Sequence, residues 1–142
     1  MKLSKETILT FSCVIGLWIG VLLPWVEVTK TDGVDNISGF EIDGGRIVMI
    51  IATLALGVIL LTRNNSFQAR IAFSAGVIAG LISLAHIMYI GGLAPEDSDV
   101  LDIRIGIGLL IVLLSSIGLA IMGILAFKHL DTRERRRLDA PT

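Results

Sequence analysis

The chain has 142 residues, of which 54% are hydrophobic and 18% charged, with a mean hydropathy of +0.82 and a net charge of −1. A globular domain carries about a quarter charged residues, and the deficit here falls in long stretches without any charge. Those stretches exclude a disordered chain, a nucleic-acid-binding domain and an ordinary cytosolic enzyme. The single cysteine, Cys13, excludes an intramolecular disulfide and a Cys-based zinc site.

A bilayer core of about 30 Å needs roughly 20 apolar residues in helix. The first candidate is Ile8–Val26, which has no charge. Lys2 and Lys5 before it resemble a signal peptide, but Leu23-Pro24-Trp25-Val26 offers no small residues for cleavage, so a retained helix over 8–26 is expected. Trp25 reads as an interfacial belt residue.

The loop 27–45 follows. Val26-Glu27-Val28-Thr29-Lys30 alternates at the strand period, and Asp32-Gly33 is a turn signal. A short β-hairpin and an irregular loop that tucks Phe40 between helix ends both fit. Asn36-Ile37-Ser38 is a glycosylation sequon, which makes Asn36 a possible modification site. Asp43 is placed to cap the next helix.

The second helix is expected over 46–62, and its apolar core Ile47–Leu61 spans only about 22 Å. Arg46 and Arg63 flank it and can snorkel outward. Asn64-Asn65-Ser66 is a turn, which makes the second and third helices antiparallel neighbours. The third helix, over 70–93, carries Ala72, Gly76, Ala79, Gly80 and Ser83 on one face. Such a stripe lets two backbones approach closely in lipid. Packing within a bundle and docking to another membrane protein or a second copy are both open readings.

His86 is the one ionisable group deep in an apolar segment. Counting from the helix ends places it level with Trp18, Thr53 and Ser115 as a polar layer. One reading is a neutral His86 hydrogen-bonded to Ser115 or Thr53. The other is a proton relay or pH sensor.

Pro95 breaks the chain after the third helix, and the loop 94–103 leads to a fourth helix over 104–128. That helix is again rich in small residues, Gly118 among them. The tail 128–142 holds Lys128, Arg133, Arg135, Arg136 and Arg137. This cluster is a topology signal or a contact for anionic lipid headgroups or another inner partner, and no specific nucleic acid is expected.

The pattern predicts an all-α membrane protein, a single domain built as a bundle of four transmembrane helices with both termini inside. Orientation follows from Lys and Arg: nine lie on the face with the termini and the turn near residue 64, three on the other. Nine of the thirteen acids lie on that other face.

No apolar segment contains Asp or Glu, so the intramembrane carboxylate that small multidrug exporters need in their first helix is absent. No catalytic pair, phosphate loop or metal motif occurs either, so no cofactor and no enzymatic activity are expected.

Leu23-Pro24-Trp25 closing the first helix, the acidic outer loop, Asp43-Gly44-Gly45 opening the second and the Arg-rich tail ending Leu138-Asp139-Ala140-Pro141-Thr142 carry a resemblance. The chain resembles small four-helix membrane proteins of haloarchaea and the envelope proteins of haloarchaeal pleomorphic viruses. The resemblance implies a structural or accessory component of a membrane or viral envelope, sitting mostly within the membrane. The competing expectation is a small transporter or channel with its polar path around His86.

Overall fold

A computed structural model describes residues 5–62, 65–92 and 100–138, with side chains for 8–62, 66–92 and 100–128. The elements in chain order are α1 (Lys5–Leu22), β1 (Pro24–Lys30), β2 (Gly33–Ser38), a 3-10 turn (Gly39–Glu41), α2 (Asp43–Leu61), α3 (Asn65–Gly91), β3 (Val100–Ile105) and α4 (Ile107–Leu138). The fold is four helices with a three-stranded antiparallel sheet of order β2-β1-β3 over one end, where α1 and α3 finish and α2 and α4 begin.

Three helical stretches are long and apolar enough to cross a membrane: Asp43–Leu61, Ser66–Gly91 and Ile107–Lys128. The apolar part of α1, Ile8–Leu22, is shorter. Large apolar side chains face outward all round: Leu54, Leu81, Leu114 and Met88 are 64%, 62%, 69% and 72% exposed. Water would not tolerate so continuous an apolar exterior, whereas lipid is as apolar as the packed interior.

The inward faces repeat at helical spacing. Val14, Leu17 and Val21 of α1, Val48, Ala52, Ala55 and Ile59 of α2, Ala72, Ala75 and Ala79 of α3, and Leu109, Val112 and Leu119 of α4 are buried. Because α3 contributes mainly alanine, its backbone lies close to α4. The α4 helix packs along both α3 and α1, and α2 rests more lightly on α3 and α1. The end of α2 is tied to α3 by Gln68, whose Nε2 donates to the Ile59 carbonyl at 2.9 Å and also to that of Thr62. Both are carbonyls at the C-terminal end of α2 that lack a partner of their own in the helix.

The sheet is two-faced. Val26 pairs with Ile37 and Ile105, and Val28 with Asp35 and Ile103. Val26, Val28, Ile37 and Ile103 pack onto the core, and Glu27, which pairs with Asn36 and Arg104, lies on the opposite face.

Several boundaries differ from the sequence reading. The first helix stops at Leu22 rather than Val26, because Pro24 opens a strand and its neighbours join a sheet. The stretch read as a loop through residue 103 contains β3, whose Leu101, Ile103 and Ile105 alternate with Asp102 and Arg104. Residues 93–99, including Pro95, lie outside the described residues.

The N-cap of α2 is Ile42, with no side-chain cap bond. Asp43 instead sits in the first turn, its carboxylate 3.3 Å from Arg46 Nη1. There it faces the positive end of the helix dipole without accepting a cap bond. The turn at residue 64 also lies outside the described residues.

Candidate functional site

The positions singled out by the sequence do not form one centre. Gly76 and Gly80 lie where α3 meets α4. A Cβ on Gly76 would fall 2.6 Å from the Ala120 nitrogen and 2.7 Å from the Ser116 oxygen, whereas one on Gly80 would meet the Ser116 hydroxyl at 3.1 Å. Ser83, fully buried, donates to the Ala79 carbonyl at 2.9 Å. Gly118 faces a different partner, since a Cβ there would approach Cys13 Sγ on α1 to 2.9 Å.

The four members of the expected polar layer also diverge. Ser115 packs against Gly16 of α1. Thr53 is exposed and donates to the Met49 carbonyl at 2.7 Å. Trp18 Nε1 is buried, with no hydrogen-bond partner among the described residues. His86 Nδ1 lies 2.9 Å from the Ile82 carbonyl. The structure therefore gives His86 a partner in its own helix in place of Ser115 or Thr53. A carbonyl one turn back is always within reach of a helical side chain, whereas neighbouring helix axes stand 8–10 Å apart. A carbonyl only accepts, so this contact is a hydrogen bond when Nδ1 carries a proton.

The imidazole does occupy a built environment, at the junction of bundle and sheet. Its ring centroid is 5.4 Å from that of Trp25, edge to face at 72°. On another side it presses against Gly44 in the first turn of α2, where a Cβ would lie 2.7 Å from Nε2. Trp25 is fully buried and its Nε1 donates to the Gly20 carbonyl at 3.0 Å. A Cβ on Gly39 would fall 2.8 Å from the indole Cδ1.

Trp25 is thus the plug between sheet and bundle rather than an interfacial belt residue. Hydropathy alone reads Pro24-Trp25 as the end of a helix and so misses this role. The signal that could have found it is Gly39, where a Cβ would collide with the indole ring.

At the surface, Asn36 is exposed on β2, opposite Glu27. Lys30 Nζ lies 2.5 Å from Asp35 across the hairpin. The hydrogen bond and charge of Asp35 hold the Lys30 ammonium above its ordinary range. Lys128 is exposed on α4. The helix backbone continues through Arg133, Arg135, Arg136 and Arg137, whose side chains lie outside the described residues. Among the described residues no three His, Cys, Asp or Glu side chains gather as metal ligands. No protein family, curated protein or solved structure matches the chain.

Proposed function

We propose that the chain is a multi-pass integral membrane protein that crosses the bilayer four times, with both termini on the cytoplasmic or virion-interior side. In this reading it serves as a non-enzymatic structural or accessory component of a membrane or envelope assembly. Its contacts are lipid, its own copies or another membrane protein, with Lys128 and the arginines after it toward anionic headgroups.

The observation that carries this reading is where the polar side chains of the helices spend their hydrogen bonds. Ser12, Thr53, Ser74, Ser83, His86 and Ser116 all bond to carbonyls three or four residues back in their own helices. Groups satisfied this way do not offer a solute or proton a continuous polar path between helices. The close α3–α4 contact at Gly76 favours a packed body over a pore.

The test is proton and solute flux in proteoliposomes from about pH 5 to 8, the range in which histidine titrates. Neither wild type nor His86→Gln should conduct, and both should insert equally. Flux that depends on His86 overturns the structural reading in favour of a transporter.

A further inference from the structure

We propose that the outward face of α2 next to the sheet binds a phospholipid with a zwitterionic head, one hydrocarbon chain lying in a groove and the head over the Arg46–Asp43 pair. The inference rests on α2 lying in the bilayer and is independent of the role assigned to the whole chain.

The groove has a volume of about 480 Å³ and is lined by Phe40, Arg46, Met49, Ile50, Thr53 and Leu54. That volume lies within the range of small-molecule sites. The five helical positions follow the i, i+3, i+4, i+7, i+8 spacing of one helix face and cover about 12 Å of axis. Thr53 spends its hydroxyl on the Met49 carbonyl, so the wall below Arg46 presents hydrocarbon only. Ile50, Leu54 and Phe40 are 58%, 64% and 50% exposed, so the groove opens sideways, where lipid chains lie.

Polarity is confined to one end. Arg46 Nε donates to the Phe40 carbonyl at 2.9 Å, and the guanidinium carbon sits 6.0 Å from the Phe40 ring centre. Those contacts fix the plane of the guanidinium. Two of its five N–H donors are used, at Nε and Nη1, and the rest suit a phosphate.

The charge beside it decides the head. Asp43 lies 3.3 Å from Arg46 with its side chain 93% exposed, and Glu41, also exposed, is engaged by Ser38. One cation beside two acids is a poor seat for a purely anionic head. A phosphate carrying a pendant ammonium complements the pair, with phosphate on Arg46 and ammonium on Asp43.

The test is native mass spectrometry of the full chain from nanodiscs holding equal parts of phosphatidylethanolamine and phosphatidylglycerol with identical chains. Wild type should retain one lipid, favouring phosphatidylethanolamine by roughly two- to fivefold, the scale of an exposed ion pair. Ile50→Phe, which fills the groove at an exposed position, should lose that lipid. Asp43→Asn should keep a lipid but shift the preference to phosphatidylglycerol.

Equal retention by wild type and Ile50→Phe overturns the site, and a wild-type preference for phosphatidylglycerol or for neither head overturns the assignment of the head. Carbonate extraction of the same membranes separates these failures from failure of the membrane reading, which would release the chain as soluble protein.

Discussion

Gly76 and Gly80 are one turn apart on α3 and face the same helix, yet they meet different atoms. At Gly76 the obstacle is the backbone of α4 at Ser116 and Ala120, which cannot turn away. At Gly80 it is a serine hydroxyl, which can. Gly76→Ala should therefore cost about 1–3 kcal/mol, the scale of overpacking, while Gly80→Ala should leave detergent melting close to wild type. Equal melting of the two would mean that α3 and α4 do not meet by this face. Trp25 divides its contribution between ring packing and one hydrogen bond. Trp25→Phe keeps a ring beside His86 but loses the bond to Gly20, about 1 kcal/mol, and part of the indole's buried volume, so it should fall between wild type and the alanine variant. Trp25→Ala empties a fully buried site and should cost about 3–5 kcal/mol. Melting of the three proteins checks the order.

Among the helices, α2 is the most lightly packed, and Gln68 ties its end to α3. Gln68→Glu keeps the shape but replaces both donors with a carboxylate facing carbonyls of Ile59 and Thr62. It should destabilise more than Gln68→Met, and the first amides to lose hydrogen-exchange protection should lie in the last turn of α2. The hairpin carries a smaller, pH-linked device. Because Lys30 is held above its ordinary range, the contribution of the Lys30–Asp35 pair is present at neutral pH and is lost as pH rises through and above that range. Melting of Lys30→Met should lack that alkaline decline.

The helical spans were legible because uncharged runs of fifteen or more residues leave few alternatives, and the hairpin because Val26–Lys30 alternates into Asp32-Gly33. The end of α1 was not, since hydropathy alone does not separate an apolar helix from the apolar strand that Pro24 opens. The alternation in Val100–Ile105 was available but too short to stand out beside a long apolar helix. His86, which is half-buried, was legible as a polar group within an apolar helix. Its neighbours Trp25 and Gly44 were not, because they come from the sheet junction that the sequence reading lacked.

At the scale of the whole molecule, the sheet gathers one end of all four helices, so the hairpin must lie on the side of the membrane opposite the α2–α3 turn if α2 crosses. In the proposed orientation the Lys and Arg split puts the α2–α3 connection and the C-terminal part of α4 inside, and Asp35 and Asp102 outside. Single cysteines at Asp35, Ser66 and Thr132, in a Cys13→Ala background, test this in intact right-side-out vesicles with a membrane-impermeant thiol reagent. Asp35→Cys should label before lysis, and Ser66→Cys and Thr132→Cys only after it. In the proposed arrangement the first crossing is the shortest, since the 15 apolar residues of α1 reach only about 22 Å. In that arrangement the strand residues Pro24, Trp25 and Val26, next to its end, would supply the remaining apolar depth on that side. Labelling of Ser66→Cys before lysis, together with Asp35→Cys, would mean that α2 does not span, and the four-crossing arrangement would fall with it.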